Sequence, residues 1–407
     1  MKPRTLGRAI ARAIKTFPAI VVTGPRQSGK TTLLKTLFKG THAFVSLEDP
    51  DIRIRAKEDP LQFLARYKPP VIIDEIQYVP ELLSYIKTRI DECRKPGQWL
   101  FTGSQHFGLM QGISQSLAGR AAVLSLLPFS LAERIGRGDL TPAIPEWLKG
   151  LRASSLNEPK ISLGEVLLRG NYPEIASRRS VDRQIWCGSY IATFLERDVR
   201  NLAHIGDLSQ FERFLKLCAV RTGQLLNLSE LARDIGISVP TAKRWLSILE
   251  AGYQVFLLYP YYRSLGKRLV KSPKIYFNDT ALAAYLLGLH DAETLIYSPS
   301  FGHLFETLIV TDVLKRFLHH GAMPSLYYIR TRDGLEIDLA IEVGQKLSLF
   351  EIKGSMTAWP KHADPLERLL KGIRGTVETA GVISRASGGF SLKKGVWHYN
   401  WKSILGN

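Results

Sequence analysis

The sequence predicts an α/β protein of several units: a parallel sheet around a phosphate-binding loop, a helical segment, a helix-turn-helix with a β-hairpin, and a C-terminal α/β unit. Three observations carry this. An apolar run, Ala19-Ile20-Val21-Val22-Thr23, enters Gly24-Pro25-Arg26-Gln27-Ser28-Gly29-Lys30-Thr31, and Thr32-Leu33-Leu34-Lys35-Thr36-Leu37 continues as a helix. Strand, G-x-x-x-x-G-K-T and helix, in that order, are the context a phosphate loop requires. Residues 227–250 read as two short helices around a glycine turn. Residues 334–353 alternate like half-buried strands and end in Glu351-Ile352-Lys353.

At 407 residues the chain exceeds one ordinary core. Its 45% hydrophobic and 23% charged content describes a soluble globular protein, not a disordered one. The net charge is +18 and the pI about 9.8. An enzyme acting only on small molecules has no need of that excess, so a polyanionic partner is expected, nucleic acid before membrane. Cys93, Cys187 and Cys218 lie far apart with no C-x-x-C pair. That excludes a zinc ribbon and a disulfide scaffold and suits a reducing cytoplasm, the expected location. Leu6, Ile10, Ile14 and Phe17 recur at helical spacing among basic residues, so the N-terminus reads as an amphipathic helix and not a signal peptide. No stretch approaches a membrane span.

The glycines of the loop let backbone wrap an anion, and the helix start adds free N–H groups and the positive end of a dipole. Gly24, Pro25, Arg26, Gln27, Ser28, Gly29, Lys30, Thr31 and Thr32 are therefore the expected nucleotide contacts. Lys30 would reach the β- and γ-phosphates of ATP, and the Thr31 hydroxyl would ligate Mg²⁺. A second strand, Ala43 to Leu47, precedes Glu48-Asp49-Pro50, and a third, Val71-Ile72-Ile73, ends in Asp74-Glu75 about forty residues beyond the loop. Asp74 would hold the Mg²⁺ shell and Glu75 would polarise the attacking water. A fourth strand, Gln98 to Thr102, runs into Gly103-Ser104-Gln105, and Ser104, with Gln105 second, is placed to touch the γ-phosphate or the water. Leu117-Ala118-Gly119-Arg120 precedes a fifth strand, Ala121 to Leu126. Arg120 there is a surface residue or an arginine finger, acting in its own subunit or in a neighbour's.

These residues, with Leu47-Glu48-Asp49-Pro50, Asp74-Glu75-Ile76-Gln77 and Pro80-Glu81-Leu82-Leu83, resemble a prokaryotic AAA-type ATPase family whose AAA core is joined to a C-terminal domain of unknown function (DUF4143). Thr102-Gly103-Ser104, Leu127-Pro128-Phe129-Ser130 with Glu133, Arg169-Gly170-Asn171-Tyr172-Pro173-Glu174 and Glu196-Arg197-Asp198-Val199 extend the resemblance over almost the whole chain. Asn171 stands where the family more often has Gly. The resemblance implies ATP binding and hydrolysis on an AAA-like fold, within residues 1–135.

Residues 136–164 are rich in Pro, Gly and Ser and read as a connection or insertion. Val181 to Leu202 reads as a helix of the lid over the nucleotide, so 136–205 is linker and helical lid. Asn227 to Ser238 and Val239 to Glu250 form the helix-turn-helix, with Ala232, Ile237 and Leu246 inward. The β-like runs Val255 to Tyr259 and Lys274 to Phe277 then flank a basic loop, which makes a wing and a winged-helix unit over 206–280. From Ser238 to Asn278 there are seven Lys or Arg against one acidic residue. Lys243, Arg244, Arg263, Lys267, Arg268, Lys271 and Lys274 are the expected DNA contacts, aimed at phosphates with little base discrimination, with Tyr259, Tyr261 and Tyr262 available for stacking.

In residues 281–407, a helix from Phe301 carries Glu306, one strand carries Glu336, Asp338, Ala340 and Glu342 on one face, and its neighbour carries Glu351 and Lys353. This set resembles the PD-(D/E)xK nuclease core. The resemblance has Asp338 and Glu351 binding Mg²⁺, Lys353 orienting the water and Glu306 completing the shell. Cleavage, or survival as a binding or packing module, both stay open. The leading expectation is an ATP-driven, DNA-engaging homo-oligomer, motor or translocase-like, acting on particular DNA structures or on DNA generally. The alternative is an ATP-gated switch that binds DNA or protein, with slow hydrolysis and an inactive nuclease-like domain, in regulation or in a toxin or defence setting.

Overall fold

A computed structural model of the protein describes residues 2–104, 116–154, 159–199, 208–261, 272–331, 333–372 and 375–406. Helix α1 (Leu6–Ala13) precedes β1 (Ala19–Thr23), and α2 (Lys30–Leu37) follows the glycine loop. With β2 (Ala43–Ser46), β3 (Val71–Asp74), β4 (Trp99–Gly103) and β5 (Ala121–Ser125), β1 forms a five-stranded sheet in the order β2-β3-β4-β1-β5. Every neighbouring pair is parallel. Strands β1, β3 and β4 are buried along their length, because apolar side chains cover both faces; hence their unbroken apolar runs. Parallel pairing also gathers Gly24, Asp74 and Ser104 at one edge, since each follows or ends a strand there.

The segment after β5 is not the loose connection its composition suggests. Helix α3 (Leu131–Arg134) opens with a capping box between Ser130 and Glu133. Residues Ile144–Ser154 form a helix whose fully buried Trp147 donates from Nε1 to the Ile404 carbonyl at 2.9 Å. Tertiary burial of Ile144, Trp147, Leu148 and Leu151 overrides the Pro and Gly around them. Further helices cover Leu163–Arg169, Pro173–Ser177 and Arg183–Thr193.

Next come α4 (Leu208–Val220), the short strand β6 (Gln224–Leu225), α5 (Leu228–Ile235) and α6 (Val239–Ala251). Asn227 and Ser238 cap the last two helices, and Gly236 turns between them at φ +79°. Strands β7 (Val255–Leu258) and β8 (Lys274–Phe277) pair antiparallel, and β6 joins β8. The C-terminal unit is α7 (Phe301–His319), then antiparallel β9 (Leu326–Arg330), β10 (Glu336–Val343) and β11 (Lys346–Lys353), then α8 (Asp364–Gly372) and β12 (Val377–Ser384), parallel to β11. Strands β13 (Phe390–Lys393) and β14 (Val396–Asn400) complete a sheet of order β13-β14-β12-β11-β10-β9. Residues 259–261, continuing β7, hydrogen-bond to Tyr328 on the edge strand β9, which closes that edge.

One apolar core runs unbroken from Leu127 through the helices of 144–195, the helix-turn-helix and α7 to Leu405. No helix among the described residues is long and apolar enough to cross a membrane. The join to the N-terminal sheet is ionic. Glu133, fully buried, accepts from the Thr5 and Ser130 N–H groups at 2.8 and 3.0 Å, lies 3.2 Å from Arg4 Nε, and lies 3.2 Å from His319 Nδ1 at the end of α7. Nε2 of His319 accepts from the Leu127 N–H at 3.2 Å, so the ring is neutral with its proton on Nδ1, facing the carboxylate. Burial opposes the Glu133 charge, but Arg4 and His319 hold its pKa well below the ordinary value. Burial, outweighing Glu133, lowers His319.

Glu133→Gln is expected to cost about 3–5 kcal/mol, because it strands the Arg4 charge in the interior; chemical denaturation measures this. Both groups titrate below their unfolded values, so the stability they contribute is present near neutrality and is lost as pH falls. The melting temperature should therefore drop below about pH 6.5, the unfolded value of His319, and His319→Gln should flatten the first part of that drop.

Candidate functional site

The loop from Gly24 to Thr32 wraps the C-terminal end of β1. Gly24 sits at φ +144°, where a Cβ would come within 2.1 Å of the Leu126 carbonyl oxygen, so only glycine fits. Gln27 and Gly29 also take positive φ, and no side chain caps the N-terminus of α2. The Lys30 ammonium folds back on the loop and donates to the Gly24 and Pro25 carbonyls at 2.9 and 2.8 Å. It spans the concavity that a phosphate group would occupy.

The acidic edge lies beside it. Asp74 Oδ1 accepts from Thr31 Oγ1 and from Thr102 Oγ1, each at 2.6 Å, and Oδ2 accepts from Ser46 Oγ at 3.2 Å. A hydroxyl whose proton is held by a carboxylate keeps its lone pairs for a hard cation, so Thr31 and Asp74 fit Mg²⁺. Glu75 takes the left-handed conformation at φ +55°, a strained setting for a non-glycine residue. Its N–H donates to Thr102 Oγ1 at 3.0 Å, and its Oε2 accepts from Ser104 Oγ at 3.1 Å and from Gln77 Nε2. Gln105 lies outside the described residues.

Three contacts come from segments that local spacing does not connect to the loop. Arg4, buried, donates to the Ser28 carbonyl at 2.8 Å and to the Leu127 carbonyl at 2.6 Å. Tyr253, between α6 and β7 at φ +56°, donates to Thr23 Oγ1 at 2.9 Å. Pro173 closes on Gly29, 3.9 Å from where a Cβ would sit. A positive-φ tyrosine and a buried arginine were the signals, and both show only in three dimensions.

Arg120 is elsewhere. It precedes β5, and its carbonyl accepts from the Ala19 N–H at the start of β1, on the sheet edge opposite the loop. Five strand residues, roughly 16 Å, separate the two edges. Its guanidinium grips Asp91 at 2.6 and 2.8 Å. An arginine finger acting in its own subunit is therefore ruled out by the parallel topology.

Of the expected DNA contacts, Lys243 and Arg244 are exposed on α6. Arg263, Lys267, Arg268 and Lys271, with Tyr262, lie outside the described residues. Tyr259 is 53% exposed, but Tyr261 is buried, packs on Tyr327 and donates to Glu342 at 3.2 Å, so it is not free to stack. Lys274 is a correction too: its side chain is 3% exposed and turns inward to carboxylates.

Those carboxylates are the C-terminal candidates. A β-bulge between Ile337 and Ala340 breaks the strict alternation expected for β10, which separates Glu336 and Asp338 from the face of Ala340. Asp338 Oδ2 accepts from the Ile352 N–H at 2.8 Å, and Lys353 Nζ lies 2.6 Å from Glu351 Oε1 and 3.9 Å from Asp338 Oδ2. Glu306, Asp338, Glu351 and Lys353 thus converge, but the Lys274 ammonium lies among the acids. It is 3.0 Å from Glu306 Oε1, 2.6 Å from Glu336 Oε1 and 3.5 Å from Asp338 Oδ1. Burial and then Asp338 push Glu306 up to about 7 and Glu351 up to about 8. Burial lowers Lys274, but Tyr276, Glu306, Asp338 and Glu336 together hold it well above lysine's ordinary value. Among the described residues no three His, Cys, Asp or Glu side chains are arranged to hold a metal ion. The Mg²⁺ ligands expected at Glu306, Asp338 and Glu351 do not fit one here.

Lys30→Ala is expected to weaken nucleotide binding at least ~100-fold, since it removes an ammonium aimed into the loop. Titration with a fluorescent ATP analogue measures this, and undiminished affinity would place the nucleotide elsewhere.

The chain is similar to known proteins along most of its length. Residues 16–135 match an AAA domain, 161–293 a domain of unknown function (DUF8612), and 301–404 a domain of unknown function (DUF4143). Uncharacterized proteins of Mycobacterium tuberculosis and Mycobacterium bovis are each 30% identical over 354 residues, covering 87% of this chain and 74% of theirs. Among solved structures, a Walker-type ATPase of Pyrococcus abyssi aligns with 70% of this chain and 99% of its own at 16% identity and a TM-score of 0.44. The RuvB Holliday junction branch migration motor of Thermotoga maritima aligns with 62% and 88% at 16% identity and a TM-score of 0.31. With its phosphate loop, its acidic strand end and both flanking domains in sequence, the chain belongs to the AAA-type ATPases that carry a C-terminal DUF4143 region.

Proposed function

We propose that this protein hydrolyses ATP with Mg²⁺ and uses the cycle to reposition a DNA-engaging winged helix, working as a homo-oligomer. Its units on this reading are an AAA core (1–135), a connecting and lid segment (136–205), a winged helix (206–280) and a C-terminal unit (281–407). The observation that carries it is the bond from Tyr253 to Thr23, one residue before the phosphate loop, which joins the helix-turn-helix to the nucleotide edge.

On nucleotide arrival, Lys30 exchanges the Gly24 and Pro25 carbonyls for phosphate oxygens, and the uncapped N–H groups of α2 face the phosphates. Thr31 and Asp74 would hold Mg²⁺, which would supply charge neutralisation at the phosphates. Glu75 leaves Ser104 and Gln77 to take the proton of the attacking water, and Ser104 remains to orient it. Arg120 reaches a neighbour's γ-phosphate and exchanges Asp91 for it. Lys243, which lines an open groove of about 860 Å³ with Asn227, Ser229, Ser247, Glu250 and Tyr259, and the exposed Arg244 next to it on α6 support contact with DNA phosphates. The alternative, an ATP-gated switch with slow hydrolysis, is favoured by the tether on Glu75.

DNA-stimulated turnover separates the two. ATPase rate is expected to rise several-fold with duplex, single-stranded or branched DNA, and Lys243→Ala with Arg244→Ala should remove most of that rise while leaving the basal rate. A rate indifferent to every DNA sinks the DNA-engaging reading. Glu75→Gln and Arg120→Ala should each lower turnover ~100-fold or more with nucleotide still bound. Mixed in equal amounts, they should recover about a quarter of wild-type turnover, because that share of random interfaces pairs an intact site with an intact Arg120. No recovery on mixing would remove Arg120 from the neighbour's site.

A further inference from the structure

The carboxylate cluster of the C-terminal unit has the members of a metal site but already holds a cation of its own. Lys274 reaches it from β8, which belongs to the helix-turn-helix hairpin and not to the C-terminal unit. The ammonium is within 3.5 Å of oxygens from three carboxylates on two elements, Glu306 of α7 and Glu336 and Asp338 of β10. Tyr276, two residues along β8, donates to the same Glu306 Oε1 at 2.6 Å, and Arg330 holds the other side of Glu336 at 2.9 Å. The Tyr328 ring of β9 covers the ammonium, with its centroid 5.7 Å from Nζ. A single −NH₃⁺ group with acid oxygens on several sides does the charge work of a bound ion, and a divalent cation could not enter without expelling it.

One atom remains unanswered. Oε2 of Glu351, a residue 4% exposed, has no hydrogen-bond partner among the described residues, although its Oε1 is held by Lys353 at 2.6 Å. A buried polar atom left in this way fits a proton on the carboxyl or a cation that Lys274 keeps out. We propose that Lys274 is the resident cation of this cluster, standing in for a divalent ion and fastening β8 to α7 and β10. The C-terminal unit is then a docking module without metal, and a divalent-ion site at Glu306, Asp338 and Glu351 opens only when Lys274 is withdrawn.

The test uses the nucleotide-free full-length protein and Mn²⁺, followed by electron paramagnetic resonance and by melting temperature. The wild type is expected to show no Mn²⁺ binding that Asp338→Asn removes, which separates this cluster from Thr31 and Asp74. Lys274→Ala should gain one Mn²⁺ per chain, at least tenfold tighter than any wild-type binding, and lose it again with Asp338→Asn added. Mn²⁺ should also raise the melting temperature of Lys274→Ala by more than it raises that of the wild type, and adding Asp338→Asn should remove the difference. Lys274→Met preserves the stem and serves if the alanine variant does not fold. An Asp338-dependent Mn²⁺ site in the wild type overturns the proposal, as does a folded Lys274 variant that gains none. If neither variant folds, the wild type compared with Asp338→Asn decides.

Discussion

The structure depends on a fully buried carboxylate that three distant segments share. Glu133 caps its own short helix, neutralises Arg4 from the N-terminus and receives His319 from the far end of α7. A charge in that position is costly to bury, and it is tolerated because the Thr5 and Ser130 N–H groups donate to it and Arg4 opposes its sign. Arg4 in turn spends its remaining N–H groups on Ser28 and Leu127, so the phosphate loop rests on the same ionic group that seats the C-terminal unit. Helix α7 carries His319 at this join and Glu306 at the carboxylate cluster, thirteen residues or about 20 Å apart.

At the loop edge the polar side chains hold one another and the backbone. Lys30 lies on loop carbonyls and Glu75 is tied to Ser104, so under the proposed function each would exchange partners before acting on a nucleotide. Tyr253 adds a contact from the helix-turn-helix at the base of the loop, and its positive φ shows that the surrounding structure forces the tyrosine into place. The nucleotide end and the hairpin end of the molecule are therefore mechanically adjacent, although 230 residues separate Thr23 from Tyr253.

Much of this was legible in the residues. The strand, loop and helix around Lys30, the acidic end of β3 and the capped helices on either side of Gly236 are set by local chemistry: backbone freedom at glycine, apolar periodicity, and side-chain oxygens at helix starts. The residues that resist such reading fail for one reason. Ile144–Ser154 looks like a connection because Pro and Gly dominate its neighbourhood, yet burial of Trp147, bonded to the Ile404 carbonyl, decides it. Lys274 closes a run of seven basic residues and by charge alone belongs with them; its position on a buried strand sends it inward instead. The bulge in β10 likewise breaks an alternation that the letters suggest.

By itself, the sequence determined that a phosphate loop stands at the end of a parallel strand, with a carboxylate pair at the end of another, because such motifs are built from residues close along the chain. Only the tertiary structure decided what the long-range partners do. It set Arg120 on the edge away from its own loop, brought Arg4 and Tyr253 to that loop, and placed Lys274 among the acids of a different unit. Coulomb attraction and burial act through space, and the partners they choose are not neighbours in sequence.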